Sequence, residues 1–360
     1  MSATLLHTPV NQTAKPLPSV RMVASADVLV VIPVLNEEAH IDGCVRSLMK
    51  GDERIASVLF VIADGGSTDR THEIVQRLGD EFSNVILLHN PKKLQSTAVN
   101  LAVREHGPGR RILVRCDAHA LYPRNYIMQV ADSLSTRGVT SLVVPMDAVG
   151  ESCFQAANAW IVDTPLGSGG SAHRGGRKSM FVDHGHHAGF DLALFNYVGG
   201  YDESFSHNED AEYDKRLVQA GGRIFLDADI RLTYMPRATV QSLARQYFNY
   251  GKGRARTILK HGERPKLRQM IPPATLLACL LGLAVAPFNQ LGLVLPGGYL
   301  AALLLASVFI TLRERSICGM LVGLASATMH MSWAAGFFRQ MLLRPRRPRQ
   351  APVAPAVPAE

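Results

Sequence analysis

The sequence predicts a doubly wound, mostly parallel α/β domain followed by a hydrophobic tail. Three observations carry that reading. Short apolar, β-branched runs alternate with amphipathic helical stretches over the first 120 residues. Acidic residues stand directly after two of those runs, where an open α/β sheet binds its ligands. Residues 271–343 are almost wholly apolar, whereas most of the charge lies in 1–270.

Taken in order, Val28-Leu29-Val30-Val31-Ile32-Pro33-Val34-Leu35 is a buried-strand run stopped by Asn36-Glu37-Glu38. Ile41, Val45, Leu48 and Met49 then fall on one helical face. Residues 58–63 form a second strand ending at Asp64, residues 71–78 a helix and 85–89 a third strand. Residues 97–104 are helical, and Ile112-Leu113-Val114-Arg115-Cys116 is a fourth strand ending at Asp117. From 150 to 190 the pattern lapses, and Leu166–Ser171 with Gly175-Gly176 predicts a mobile loop beside the cleft. A helix resumes from about 210 to 220, closed by Gly221-Gly222. Residues 1–25 read as a loose leader without the basic and apolar regions of a secretory signal.

At 360 residues the chain has room for one large domain and an appendage. The reading is a leader (1–25), a catalytic domain (26–260), a membrane-associated segment (261–343) and a basic, proline-rich end (344–360). The tail offers apolar stretches at 271–288, 291–312 and 317–338, each near the ~20 residues a spanning helix needs, so two to three transmembrane helices are expected. Three spans would place the Arg344–Arg349 cluster across the membrane from the catalytic part, against the positive-inside tendency. The sequence leaves open whether one segment lies in the interface. The net charge of +8 suits anionic partners. Because Arg245, Lys252, Arg254, Arg256, Lys260, Arg264, Lys266 and Arg268 cluster beside the tail, phospholipid and nucleotide phosphates are favoured and nucleic acid is not. The five cysteines stand singly, which argues against a disulfide framework and for a reducing, cytosol-facing catalytic part.

Three acidic clusters hold the chemistry: Asp64-Gly65-Gly66-Ser67-Thr68-Asp69, Asp117-Ala118-His119 and His207-Asn208-Glu209-Asp210-Ala211-Glu212. Asp64 is placed to accept hydrogen bonds from a ligand at a strand end, with a helix-start role for Ser67 or Asp69 as the bland alternative. Asp117 and His119, two apart in a strand-end turn, can reach one cation, and the imidazole shifts preference somewhat from Mg²⁺ toward Mn²⁺. A packing role for His119 is the alternative. Asp210 is the candidate general base, with Glu209 and Glu212 as rivals. Gly199-Gly200 would leave room for an acceptor. His184, His186 and His187 lack the ligand spacing of a structural zinc site. They read as hydrogen-bonding groups, one of which could touch the donor phosphate or the acceptor.

The order Val31-Ile32-Pro33-Val34-Leu35-Asn36-Glu37-Glu38, Asp64–Asp69, Asp117–His119 and Gly199-Gly200-Tyr201-Asp202 leading to Glu209-Asp210 resembles family 2 glycosyltransferases of the GT-A fold over roughly residues 26–260. Arg115–His119, His184–His187 and Gln246–Arg254 resemble, more narrowly, the succinoglycan-type exopolysaccharide glucosyltransferases. The resemblance implies nucleotide-sugar contacts at Pro33, Asn36, Glu37, Asp64 (on the uracil) and Asp117, with Mn²⁺ or Mg²⁺ on Asp117 and His119. Acceptor or diphosphate contacts are implied at Gly199, Gly200, Gln246 and Tyr250. It also implies an inverting transfer of a hexose, glucose from UDP-glucose, to a polyprenyl-diphosphate-linked oligosaccharide at the bacterial inner membrane, the catalytic domain being cytoplasmic. The chain departs from the family in having Asp-x-His where Asp-x-Asp is usual. It also lacks the Arg-Trp pair after Gln246 that processive members carry, which favours addition of a single sugar. An envelope pathway using another nucleotide sugar is one alternative, and a non-catalytic membrane scaffold another. A dinucleotide-dependent oxidoreductase is disfavoured, since the turn after the first strand is Pro33–Glu37 and not Gly-rich.

Overall fold

The computed structural model describes residues 23–171 and 174–343. Residues 1–22 of the leader predicted at 1–25, and the basic end predicted at 344–360, lie outside the described residues.

The first half follows the alternation closely. Strands β1 (Val28–Val34), β2 (Leu59–Asp64), β3 (Val85–His89) and β4 (Ile112–Arg115) are parallel and neighbour one another in the order β3-β2-β1-β4. Six of the seven β1 residues are buried, as a strand covered on both faces requires. Helices α1 (Ile41–Leu48), α2 (Thr71–Glu81) and α3 (Gln95–His106) provide the covering. On α1, Ile41, Cys44, Val45 and Leu48 make the buried stripe that the spacing predicts. In-register pairing of Val34 with Asp64 puts the ends of β1 and β2 at one edge, and Asp117 follows β4 there.

Beyond β4 the architecture departs from simple alternation. A short β5 (Ala120–Leu121) precedes α4 (Tyr126–Arg137), β6 (Ser141–Val143) and β7 (Met146–Ala148). Helix α5 (Cys153–Val162) and the turn α6 (Pro165–Ser168) stand where the pattern lapses, α5 ahead of the expected loop and α6 at its start. A capping box of Ser152 and Gln155 starts α5, and its Ala157, Ile161 and Val162 are buried beside residues of the tail. That long-range burial is why the stretch is helical although its local pattern is weak. Strands β8 (Met180–Val182) and β9 (His187–Asp191), helices α7 (Leu192–Tyr197) and α8 (Glu209–Gln219), and strands β10 (Ile224–Leu226) and β11 (Leu232–Tyr234) complete the domain. The main sheet reads β3-β2-β1-β4-β9-β6-β10-β8, with β9 antiparallel between β4 and β6 and β8 antiparallel at the edge. A second sheet, β5-β11-β7, flanks it.

Four long helices follow: α9 (Val240–His261), α10 (Leu267–Val285), α11 (Val294–Glu314) and α12 (Val322–Leu342). Three segments, Leu267–Val285, Gln290–Glu314 and Ile317–Leu342, are long and apolar enough to cross a membrane, and the chain is membrane-associated. One expectation is corrected outright. Cys153 and Cys318 form a disulfide across 165 residues of sequence, joining the start of α5 to the turn before α12. Spacing gave no hint of it, because packing of α5 on the tail alone brings the two together. Cys44 and Cys116 are buried thiols and Cys279 is partly buried.

Candidate active site

At the carboxyl edge of the sheet a cleft of about 170 Å³ is lined by residues that include Pro33, Glu37, Asn90, Lys93, Asp117 and His119. Two strand-end turns make its floor and are tied to each other. Asn36, at φ +56°, accepts a hydrogen bond through Oδ1 from the Thr68 amide at 2.8 Å, while its own amide donates to the Ser67 hydroxyl. Asp64 accepts from the Ser67 amide (3.0 Å) and hydroxyl (2.6 Å) through one oxygen and has His72 3.7 Å from the other. Asp69, not Asp64, serves the start of α2 by accepting from the Thr71 amide and hydroxyl. At 3 % exposure Asp64 is tucked beneath its turn, so it shapes the floor of the cleft from below.

Asp117 and His119 come together on the cleft wall as the spacing anticipates. His119 Nδ1 lies 3.2 Å from Glu37 Oε1, and His40 Nδ1 is 3.1 Å from the other Glu37 oxygen. The hydrogen bond to Glu37 raises the His119 pKa above its ordinary value. Burial pushes the Glu37 carboxyl up, but the two imidazoles outweigh it and the group sits below the usual carboxylate range. Glu37, expected as a donor-binding residue, therefore orients His119. With Nδ1–H donated to Glu37, Nε2 is the nitrogen left with a lone pair, the arrangement found behind metal-bound histidines. A carboxylate and an imidazole so placed form a two-donor partial site that suits a divalent cation completed by diphosphate oxygens and water. Among the described residues no group of three or more His, Cys, Asp or Glu side chains could hold a metal alone.

The base side reaches the same place from far away in sequence. Arg115, the last residue of β4, is 2 % exposed at its side chain and donates from Nη1 to Asp210 Oδ1 at 2.7 Å. Its Nη2 is 3.8 Å from Asp117. Tyr201 donates its hydroxyl to the same Asp210 oxygen at 2.8 Å. Burial opposes the Arg115 charge, and Asp210, Asp117 and Glu209 more than compensate, holding its pKa well above the ordinary value. Asp117 is likewise pushed up by burial and brought below the ordinary range by the Arg115 charge.

The three carboxylates at the start of α8 are thereby told apart. Asp210 is 21 % exposed and faces the guanidinium. Glu209 is 9 % exposed, and burial together with the Asp210 charge raises its pKa, which disfavours the ionised form a base requires. Glu212 is fully buried against Arg216, Lys260 and His261, so it ties α8 to α9 and is not available to an acceptor.

The histidine cluster divides. The antiparallel register of β9 against β4 delivers His186 to the Asp117 end of that strand, with Nε2 3.6 Å from Asp117 Oδ2. Burial lowers its pKa to about 4, so it meets Asp117 as a neutral ring. His184 instead pairs with the buried Asp214 at 2.6 Å. A side chain at Gly199 would meet open space, whereas Gly200 is enclosed. Both have positive φ, as the turn after α7 requires, and a side chain at 200 would strike Asn100 and Phe195. Gln246 donates to the hydroxyls of Tyr234 (3.3 Å) and Tyr250 (3.0 Å) in an aromatic cluster under the tail, with the Arg174 guanidinium over the Tyr234 ring. Arg115 and Tyr201 are the functional residues to which the sequence assigned no role. Arg115 directly before the Asp-x-His pair, in an otherwise apolar strand, was the available signal.

Comparisons with known proteins identify the family and the fold. Residues 29–199 match the family described as Glycosyl transferase family 2. The chain is 45% identical over 318 residues to the succinoglycan biosynthesis protein ExoA of Rhizobium meliloti (strain 1021), covering 88% of this chain and 96% of that one. It is 23% identical over 242 residues to a dolichyl N-acetyl-α-D-glucosaminyl phosphate 3-β-D-2,3-diacetamido-2,3-dideoxy-β-D-glucuronosyltransferase of Methanococcus voltae, covering 64% of this chain and 74% of that one. Among solved structures, the mannosyltransferase PcManGT from Pyrobaculum calidifontis, in complex with GDP-Man and Mn²⁺, has a TM-score of 0.57 at 17% identity. The alignment covers 89% of this chain and 88% of that one, a likeness of fold.

Proposed function

Since the chain belongs to glycosyl transferase family 2 and is a glycosyltransferase, we propose that it moves a glucosyl residue from UDP-glucose, with inversion, onto a polyprenyl-diphosphate-linked oligosaccharide. The setting is assembly of a succinoglycan-type exopolysaccharide at the cytoplasmic face of a bacterial inner membrane. The supporting relative is named for succinoglycan biosynthesis and aligns over nearly its whole length. The observation that supports the reaction is Arg115, whose guanidinium lies between Asp117 and Asp210 although 93 residues separate them.

Asp210 accepts the proton of the acceptor hydroxyl as that oxygen bonds to the anomeric carbon and the bond to the donor diphosphate breaks. The nucleoside diphosphate leaves with the electron pair. A Mn²⁺ or Mg²⁺ ion held by Asp117 and His119 would supply charge neutralisation to that leaving group. Arg115 and Tyr201 fix the Asp210 carboxylate, and Glu37 fixes the His119 ring, so neither has to reorganise during transfer. The Asn36–Thr68 and Asp64–Ser67 ties hold the floor on which the nucleoside rests. Gln246 and Tyr250 face the acceptor side only through their aromatic cluster. A reducing cytoplasm would keep Cys153 and Cys318 as thiols, and the packing of α5 on the tail holds them adjacent in either state.

The test is incorporation of radiolabelled sugar into lipid-extractable product by membranes containing the chain, scanned over nucleotide sugars with and without chelator. Labelled product from UDP-glucose that vanishes in chelator is expected. Exclusive use of another donor, or full activity in excess chelator, overturns the donor or the cation respectively.

A further inference from the structure

We infer that α12 does not cross the membrane: α10 and α11 form a two-span hairpin, and α12 returns to lie along the membrane surface on the catalytic side. This deepens the membrane attachment proposed above and rests on it.

The first ground is backbone contact with α9. A Cβ at Gly251 would sit 1.9 Å from the Trp333 carbonyl oxygen, and one at Gly336 would sit 1.9 Å from the Phe248 carbonyl oxygen. The two helices touch there with no side chain between them. They run parallel, since Leu243 shares a buried cluster with Ala325 and Met329 while Ala255 and Ile258 share the next with Phe337. Yet α9 carries Arg245, Lys252, Arg254, Arg256 and Lys260. It is pinned to the catalytic domain by Lys260 on Glu212, by Arg256 on the Ser204 carbonyl and by Asn208 on Thr257. Such a helix stays out of hydrocarbon, and a helix fused to its flank shares its depth.

The second ground is where α12 begins and ends. A spanning helix has its ends on opposite sides of the bilayer. The turn before α12 sits against the catalytic domain, with Cys318 and Cys153 adjacent at 5.0 Å between their Cα atoms, and Val322 is buried in one cluster with Ile161 and Val162 of α5. At the other end Phe337 and Met341 pack with Ile258 of α9 and with Met270, in the first turn of α10. In its middle, His330 Nε2 lies 2.7 Å from the Leu166 carbonyl oxygen of α6. Start, middle and end of α12 each touch the catalytic side, while Gly323 and His330 also meet Ser307 and Tyr299 of α11.

The third ground is surface character. Only 11% of the most apolar window in α10 and 17% of that in Gln290–Glu314 are buried, against 33% for Ile317–Leu342. Leu281, Leu283, Leu305, Phe309 and Leu312 stand exposed on the first two, as lipid-facing side chains would. Helix α12 carries His330, Trp333, Arg339 and Gln340, residues of an interfacial helix. With α12 returned, Arg339 in its last turn falls on the catalytic side, in accord with the positive-inside rule.

The experiment uses the full chain in sealed vesicles. Tags on both ends are exposed to protease, and single cysteines at Glu73, Gln290 and Leu343 are labelled with an impermeant maleimide in a background whose native cysteines are replaced. Both tags should share one fate, Leu343→Cys should label from the same side as Glu73→Cys, and Gln290→Cys from the opposite side. The doubly tagged chain keeps its native cysteines, so it reads the tail even where the replaced background fails to fold. Opposite fates for the tags, or labelling of Leu343→Cys opposite Glu73→Cys, overturns the inference by making α12 a span. Labelling at all three positions from one side overturns it by removing the hairpin. Release of the unaltered chain by alkaline wash would instead sink the membrane attachment itself.

Discussion

The two walls of the cleft are built by opposite strategies. The donor wall comes from strand ends and their own turns: Asp64 is held by Ser67 three residues on, and Asp117 sits two residues past its strand. The base wall is assembled from distant pieces. Arg115 meets Asp210 from 95 residues away, Lys260 meets Glu212 from 48, and Cys153 meets Cys318 from 165. The donor wall is therefore a local property of the α/β alternation. The base wall exists only when α8, α9 and the tail are packed together. Arg115 belongs to both.

Separating chemistry from donor binding breaks the comparison most sharply. Asp210→Asn should lower turnover ~10²–10⁴-fold, as loss of a general base does, while nucleotide affinity measured by titration calorimetry changes little. A matching fall in affinity would show that the walls are not separable. Glu209→Gln should be milder, and the reverse ranking would exchange the two assignments. Asp117→Asn should cost ~10²–10³-fold in turnover, the scale of losing a preorganised electrostatic partner. It should also remove the cation dependence of nucleotide binding, which distinguishes it from the base variant.

Stability probes the long-range wall. Glu212→Gln should lower unfolding stability near pH 7 by about 1.5–3 kcal/mol, the scale of hydrogen bonds to charged groups. Burial raises the Glu212 pKa, but His261, Arg216 and Lys260 bring it far below the ordinary carboxylate value. Its contribution is therefore complete above the unfolded-state carboxylate pKa and is lost as pH falls toward the folded one. The gap between variant and parent, read from denaturant melts, should close below about pH 4. A gap that widens on acidification would refute the network. Smallest is Tyr201→Phe, which removes one of two donors to Asp210. About 0.5–1.5 kcal/mol of transition-state stabilisation should disappear from kcat/KM, with no change in donor affinity.

The same division explains what the sequence disclosed. Strands β1 to β4 and helices α1 to α3 were readable because their apolar periods match the buried faces. Asp117 and His119 were readable because two positions in one turn share a side. The insertion of β9 between β4 and β6 was not, since His187–Asp191 has no distinctive period and its place depends on partners on both flanks. That insertion carries His186 to Asp117, so the role of the histidine cluster was hidden with it. Gly199-Gly200 was ambiguous for a related reason: glycine signals an unusual φ or a close approach, and neighbours decide which. Helix α5 and its disulfide depend on the tail and have no local signature.

The contact of Gly251 and Gly336 also bears on how this enzyme can be divided. Composition suggests a cut before residue 271, yet that cut strips α9 of the surface covering Leu243, Ala255 and Ile258. Such a fragment would expose an apolar stripe and aggregate. A workable soluble form would instead delete the α10–α11 hairpin and retain α12. Because α9 and α12 run parallel, the new connection must return along the 21 residues of α12, ~30 Å at 1.5 Å per residue. About nine residues of extended chain are the minimum for that return, and a polar linker several residues longer would turn a membrane enzyme into one that dissolves without detergent.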